Sequence, residues 1–180
     1  MRQRRANLSA AQLDAAAEKL CTRLIELVAY QEARHVAAYF AVSGEISLHP
    51  VIDHALAQGK KIYLPNLDQQ ALRFSPYFHG QKMRTNRYCL PEPDVGDDEM
   101  LAPERLDLVL APLVVFDAAG NRIGMGGGYY DRSFAFRKQS ENTKPGLIGV
   151  AHELQKVDQL VPEDWDVRLD MVVTDQSIYA

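Results

Sequence analysis

Four glycines fall within five positions of this chain, at Gly124, Gly126, Gly127 and Gly128, and they follow closely on the apolar run 106–116 (LDLVLAPLVVF). A Val- and Leu-rich run bounded by turn residues reads as a buried strand. The apolar spacing in 129–138 (YYDRSFAFRK) reads as a helix, so the sequence predicts a strand feeding a glycine loop that opens a helix. Glycine has no Cβ to hold a ligand away and tolerates positive φ, which lets successive N–H groups turn toward one anion. A helix N-terminus adds to the same preference. The predicted chemistry is a phosphate cradle, with the Arg122 guanidinium placed to clamp phosphate oxygens and Asp131 offering a hard oxygen ligand for Mg²⁺. No Lys-Ser or Lys-Thr follows the glycines, so this is not a GxxxxGK[ST] loop, and the spacing is only loosely that of a dinucleotide fingerprint. On the residues alone, a tight turn with Tyr129 and Tyr130 packed in the core remains the alternative.

A chain of 180 residues with 47% hydrophobic content is long enough to bury one substantial core, and we expect a single domain over 1–180. The formal charge of −4 gives no basic footprint for nucleic acid. No apolar run is long enough to span a bilayer and no signal-peptide pattern is present, so a cytoplasmic protein without membrane partners is expected. Cys21 and Cys89 are too few and too far apart for a disulfide framework and are read as thiols, Cys21 packing on a helix.

Along the chain, Arg2, Arg4 and Arg5 make a basic start that reads first as a solvated tail and second as a phosphate contact. Ser9 to Gln12 has capping-box spacing, and Leu13, Ala16, Ala17, Leu20, Leu24, Leu27 and Val28 mark one face of the helix that follows. Residues 35–42 (HVAAYFAV) predict a buried strand, 48–58 a short helix begun by Pro50 and stopped at Gly59, and 60–65 a second strand. This strand–helix–strand unit builds parallel sheet. Residues 72–77 are a candidate strand that Pro76 confines to an edge, 78–103 are irregular, and 146–150 and 171–174 are further strands. Alternating strands and helices imply a three-layer α/β/α architecture with a largely parallel sheet. His152-Glu153 begins like a zinc-protease motif, but Lys156 stands where its second histidine belongs.

The stretch 107–117, then Gly120, then 122–132 (RIGMGGGYYDR) resembles the signature of the 5-formyltetrahydrofolate cyclo-ligase family, also called 5,10-methenyltetrahydrofolate synthetase. Segments at Arg5 with Leu8-Ser9, at Phe40 and Glu45, at Asn86-Arg87, at Glu92-Pro93 and at 160–167 extend the likeness along nearly the whole chain. The resemblance implies the fold shared by glucosamine-6-phosphate deaminase and ribose-5-phosphate isomerase. It implies ATP- and Mg²⁺-dependent conversion of 5-formyltetrahydrofolate to 5,10-methenyltetrahydrofolate, by a monomer or weak homodimer. Carried over residue by residue, it gives Arg122 and Tyr130 catalytic roles and assigns ATP to Arg4, Arg5, Arg122, Ile123, Gly124, Met125, Gly126, Gly127, Gly128, Tyr129 and Tyr130. It assigns folate to Phe40, Glu45, Tyr77 and Tyr130, and the metal to Asp131 and Asp166. Phe40 suits stacking on a pterin ring, and Glu45 suits accepting hydrogen bonds from its N–H groups. The chain departs from the family in lacking its N-terminal Lys and Leu-Arg, and in having Gly127 where many members carry Lys. A sugar-phosphate isomerase or deaminase, and a non-catalytic folate or nucleotide binder, remain the other classes.

Overall fold

The computed structural model describes residues 1–139 and 144–180. Its first elements are helices: α1 (Arg2–Ala6), α2 (Ala10–Ile25) and α3 (Val28–Glu32). Ser9 caps α2 as its spacing predicts, its hydroxyl accepting from Gln12 N while the Gln12 side chain accepts from Ser9 N. The helix buries Ala16, Ala17, Leu20, Cys21 and Leu24. Val28 departs from the expected face: the helix breaks at Glu26–Leu27, and Val28 opens α3 at 65% exposure. The basic start is no free tail, for α1 folds back over the sheet and buries Arg5.

The remaining elements, in chain order, are β1 (His35–Ala37), α4 (His49–Ala57), β2 (Lys61–Asp68), β3 (Ala71–Tyr77), β4 (Met83–Thr85), β5 (Pro91–Pro93), β6 (Leu108–Pro112), β7 (Val115–Phe116), β8 (Arg122–Ile123), α5 (Tyr129–Phe134), β9 (Gly146–Ala151), β10 (Met171–Thr174) and β11 (Ile178–Tyr179). Seven strands form one sheet in the order β11-β10-β9-β6-β1-β2-β3. Its five central strands are parallel, and β3 and β11 close the edges antiparallel. Pro76 sits on the edge strand β3, where a missing N–H costs no ladder bond to a further neighbour.

Strict alternation along the parallel strands divides their side chains between two cores. Val36, Ile62, Leu64, Leu108, Leu110, Ile148, Val150 and Val173 pack with α2 and α4 on one face. Ala37, Tyr63, Val109, Ala111, Leu147, Ala151 and Val172 pack with Phe134 of α5, Val167 and Leu169 on the other. Burial on both faces is why these strands read as continuous apolar runs. The expected mixed α/β architecture with a mostly parallel sheet is therefore present, its second layer made of one short helix and irregular segments.

Two expected strands are shorter than the apolar pattern suggests. Beyond Ala38, whose N still donates to Tyr63 O of β2, residues 39–42 leave the ladder for a turn with positive φ at Ser43 and Gly44. The run 106–116 also does not feed the glycines directly, because the hairpin β7–β8 intervenes and lifts the loop off the sheet. The expected helix 129–138 is α5 followed by a 3-10 turn, Ala135–Lys138. No helix among the described residues is long and apolar enough to cross a membrane.

Candidate active site

In the sheet order, β1 connects outward to β2 through α4, while β6 connects the opposite way to β9 through α5. The direction of winding reverses between β1 and β6. In open α/β sheets the crevice outside the carboxyl ends of the strands at such a switch point is where ligands bind. Glu45 follows β1 and Leu113 follows β6, and the side chains proposed for substrate gather around them.

The Glu45 turn is shaped by its own backbone. Glu45 N donates to Val42 O at 3.0 Å, and Val42 N returns a bond to Glu45 Oε2 at 3.2 Å. The Tyr39 hydroxyl donates to Ile46 O at 2.9 Å and fixes the exit. Burial holds the Glu45 carboxyl above its usual range, with the Val42 N–H, Arg5 and Arg2 pulling the other way. Beside the turn, the ring of Phe40 meets Tyr77 edge-on at 5.2 Å and stacks on His49 at 5.4 Å. Phe40 and Tyr77 are only partly buried, so an aromatic wall stands next to a carboxylate, as recognition of a flat heterocycle with N–H donors requires.

Tyr130, in the first turn of α5, joins this group to the glycine loop. Burial and then the charge of Glu45 push its phenol up, and Arg122 opposes them, so Tyr130 is a protonated donor at neutral pH with both charges in range. Gly124, Gly126 and Gly127 are exposed, as are Ile123 and Met125. A Cβ added at Gly124 or Gly126 meets nothing within 4 Å, so there is open room over the loop for a ligand. Gly126 and Gly128 have φ of 89° and 63°, the region for which glycine is suited.

Arg122 does not reach into open solvent. Its Nη2 bonds Asp131 Oδ1 at 2.7 Å, its Nη1 donates to Val167 O, and its side chain is 6% exposed. Asp131 Oδ1 also accepts from Val167 N at 3.1 Å. Asp166 precedes Val167, whose N and O both bond this pair, and its own Oδ2 accepts from Glu163 N at 2.9 Å. Among the described residues no group of three His, Cys, Asp or Glu side chains gathers as a metal site. That is compatible with Mg²⁺, which is commonly held by one or two carboxylates together with substrate phosphates. Asp131 and Asp166 supply hard oxygens of that kind.

The N-terminal arginines part company. Arg4 is exposed, while Arg5 is 1% exposed with Nη1 at 3.8 Å from Glu45 Oε1. Arg132 and Gln155, given no role in the sequence reading, are structurally central, as is Arg87 of the Asn86-Arg87 segment. Arg132 donates to Gly127 O and Gln70 O, both at 2.6 Å, lashing the glycine loop to the β2–β3 turn. Arg87 bonds the Tyr129 hydroxyl, and the Tyr88 hydroxyl lies 3.0 Å from it. Buried Gln155 donates to Leu113 O at 2.7 Å and to Val114 O at 3.1 Å, and its Oε1 receives His152 N at 2.9 Å. For Arg132 and Gln155 the residue types carried no signal of this, because the partners are mostly main-chain carbonyls elsewhere in the fold. A cleft of about 610 Å³ lined in part by Arg34, His35, Lys60 and Lys61 lies at the opposite, amino-terminal ends of β1 and β2 and gathers none of these groups.

Comparison with known proteins bears on the family and the fold. The model of the 5-formyltetrahydrofolate cyclo-ligase family matches residues 1–175. The chain is 36% identical over 172 residues to the 5-formyltetrahydrofolate cyclo-ligase of Haemophilus influenzae, covering 94% of this chain and 90% of that one. It is 35% identical over 182 residues to the Escherichia coli enzyme of the same name, covering 99% and 98%. Among solved structures it is similar to Aquifex aeolicus 5,10-methenyltetrahydrofolate synthetase, with a TM-score of 0.82 and 29% identity over 98% of this chain and 87% of that one.

Proposed function

This chain belongs to the 5-formyltetrahydrofolate cyclo-ligase family, and from that membership we propose that it converts 5-formyltetrahydrofolate to 5,10-methenyltetrahydrofolate with ATP and Mg²⁺, releasing ADP and phosphate. The amide oxygen of the formyl group is a poor leaving group. Transfer of the γ-phosphoryl group to that oxygen makes it a good one. The folate N10 then attacks the activated carbon, the N10 proton is lost, and the C–O bond breaks to expel phosphate as the five-membered ring closes. No protein nucleophile is needed.

The observation that carries the reading is the place of Tyr130 in the first turn of α5, directly after the exposed glycine loop and one residue before Asp131, the partner of Arg122, with the charges of Glu45 and Arg122 both acting on its phenol. In this proposal Phe40 and Tyr77 hold the pterin face and Glu45 accepts from its N–H groups. Tyr130 donates a hydrogen bond to the oxygen that gains the phosphoryl group. The open backbone at 124–128 and the Tyr129 side of the loop receive the ATP phosphates, with Arg122 and Ile123 to Gly128 forming the phosphate wall. Phosphoryl transfer is mainly positioning and charge neutralisation, which backbone amides and a guanidinium provide. Mg²⁺, held by Asp131 and Asp166 with phosphate oxygens, would neutralise charge on the transferring group. Arg4, the N-terminal arginine carried over to ATP that is exposed, and Arg2, exposed on the same helix, are available to nucleotide. We place the reaction in the cytoplasm, in a monomer or weak homodimer.

The test is purified protein with MgATP and 5-formyltetrahydrofolate, followed by near-ultraviolet absorbance of the methenyl product, with matched reactions lacking ATP or Mg²⁺. Product in the complete mixture alone is the expected result. No product from folded protein refutes the ligase reading, and conversion without ATP would refute its phosphorylation step, since the formyl oxygen would then be leaving as water.

A further inference from the structure

We infer that Arg5 is a positioning residue for the folate half of the site, a guanidinium sealed beneath the 43–45 turn that holds the Glu45 carboxylate in place and does not touch nucleotide phosphate. The inference rests on the ligase reading for its substrates.

Three observations carry it. The Arg5 side chain is fully enclosed, with Nη1 donating to Leu113 O at 3.3 Å and lying 3.8 Å from Glu45 Oε1. The contacts of Arg5 are Leu113 O, Glu45 and the Gly44 turn, at the ends of β6 and β1, and none of them lies on the glycine loop 124–128. Second, the turn is pressed against α1 itself: a Cβ on Gly44, whose φ is 72°, would stand 2.9 Å from Arg5 O. The backbone of α1 is thus the seat on which the Glu45 turn rests. Third, one carbonyl ties the strand ends together. Leu113 O, just after β6, accepts from both Arg5 Nη1 and Gln155 Nε2, while Gln155 Oε1 receives the backbone N of His152, which follows β9. Arg5 Nε and His152 Nε2 are both buried without a hydrogen-bond partner in this region, so its polar groups are held by shape and charge more than by saturated bonding.

The groups facing Glu45 come from every neighbouring element. They are Arg5 and Arg2 on α1, Tyr39 after β1, and Tyr130 on α5, with His152 beyond β9 interacting with the Gly44 backbone and with Arg5. Of the two arginines, Arg5 is the one within 3.8 Å of the carboxylate and enclosed with it. Removing its charge leaves desolvation to act on Glu45 with less opposition, so the carboxylate protonates at higher pH.

The experiment compares Arg5→Met, Arg5→Lys, Glu45→Gln and the Arg5→Met/Glu45→Gln double variant. It uses steady-state kinetics in both substrates and calorimetric titration with 5-formyltetrahydrofolate in the absence of nucleotide. Arg5→Met is expected to raise KM and Kd for 5-formyltetrahydrofolate by about tenfold while KM for MgATP moves by less than about twofold, the scale set by one charge-assisted contact. The acid limb of kcat/KM for folate moves to higher pH in Arg5→Met and returns toward wild type in Arg5→Lys. On the Glu45→Gln background the Arg5→Met change adds less than about twofold, since a residue acting through its partner is non-additive with it. A rise in KM for MgATP with folate unaffected overturns the inference, as does an undiminished tenfold effect in the double variant. If Arg5→Met does not fold, Arg5→Lys and its pH profile decide between the same two outcomes. A wild-type chain that binds 5-formyltetrahydrofolate without converting it refutes the ligase reading, while the Kd series still decides the role of Arg5.

Discussion

The two halves of the proposed site are built in opposite ways. Around Glu45 nearly everything is enclosed and fastened: Tyr39 and Arg5 are buried, the turn is stitched by its own backbone, and α1 closes over it. Around Gly124 to Gly127 nearly everything is open: the loop is exposed, two of its glycines face empty space, and its flanking apolar residues Ile123 and Met125 are 52% and 59% exposed. The difference follows from what each half is proposed to bind. A flat heterocycle presents its N–H and carbonyl groups in fixed directions, so it is recognised by side chains whose positions are set before it arrives. Phosphates offer oxygens in every direction and are satisfied by backbone N–H groups, which require only that side chains be absent.

The largest effect expected from this contrast is at Glu45. Glu45→Gln keeps the shape but removes the charge, and kcat/KM for 5-formyltetrahydrofolate should fall about 100-fold, roughly 2.7 kcal/mol, in keeping with hydrogen bonds to a charged acceptor. KM for MgATP should stay near wild type; an equal loss in both substrates would mean that the halves are not separately built. Next is the anchor of the open half. Asp117, 2% exposed, accepts from Ala119 N, Asn121 N, Asn121 Nδ2 and Leu160 N, so it fastens the base of the β7–β8 hairpin to the 160s segment. Asp117→Ala should cost about 2 kcal/mol in denaturant unfolding, since several buried donors lose their acceptor. Burial works to raise the Asp117 carboxyl, but the Asn121 side chain and the N–H groups of Leu160, Asn121 and Ala119 together hold it below its usual value. A depressed carboxyl stabilises the fold fully above its unfolded value, near pH 4, and that contribution is lost as pH falls through the folded value. The deficit of the variant should therefore shrink on acidification below about pH 4. A deficit that stays constant there would show the charge of Asp117 to be irrelevant.

Arg122→Ala comes third, with turnover at saturating MgATP lowered at least about tenfold, or 1.4 kcal/mol in the barrier. Because Arg122 also bonds Asp131 and Val167 O, the variant needs a thermal unfolding control. Unchanged kinetics in a folded variant would assign Arg122 to holding the loop in place and remove it from phosphate.

How far the sequence disclosed this arrangement depended on whether a feature is local. Periodicity is local, so the parallel strands, the Ser9 cap and the edge position of Pro76 were legible, and the glycine motif with its neighbours disclosed the family. The end of β1 at Ala37 was not, because Ala38 to Val42 are as apolar as the strand before them and only the turn at Ser43 and Gly44 draws the chain after Ala38 out of the ladder. Burial of Arg5 was invisible for a similar reason. An arginine at the start of a chain is ordinarily solvated, and its partners here are Glu45 and a carbonyl 108 positions away. Gln155 was passed over because its partners, apart from His152 N, are the carbonyls of Leu113 and Val114 beyond another strand. The metal assignment shows the same limit from the other side: sequence supplied Asp131 and Asp166, but gave no sign that Arg122 and Val167 N share Asp131 Oδ1.

The smallest expected effect is the sharpest test of the open half. Gly124 has no positive φ, and a Cβ there meets nothing within 4 Å, so Gly124→Ala requires no rearrangement of the free protein. Its stability should stay within about 0.5 kcal/mol of wild type, or rise slightly as the unfolded chain loses freedom. If the glycines serve only a tight turn, nothing else should change. If the space over Gly124 is where phosphate oxygens approach the backbone, the methyl group occupies it, and KM for MgATP should rise roughly threefold, about 0.7 kcal/mol, with folate KM unmoved. Gly126 is a poorer probe, because its φ of 89° makes any side chain strained before a ligand arrives. A stable Gly124→Ala protein with wild-type affinity for MgATP would therefore place the phosphates elsewhere and return the glycines to a purely structural turn.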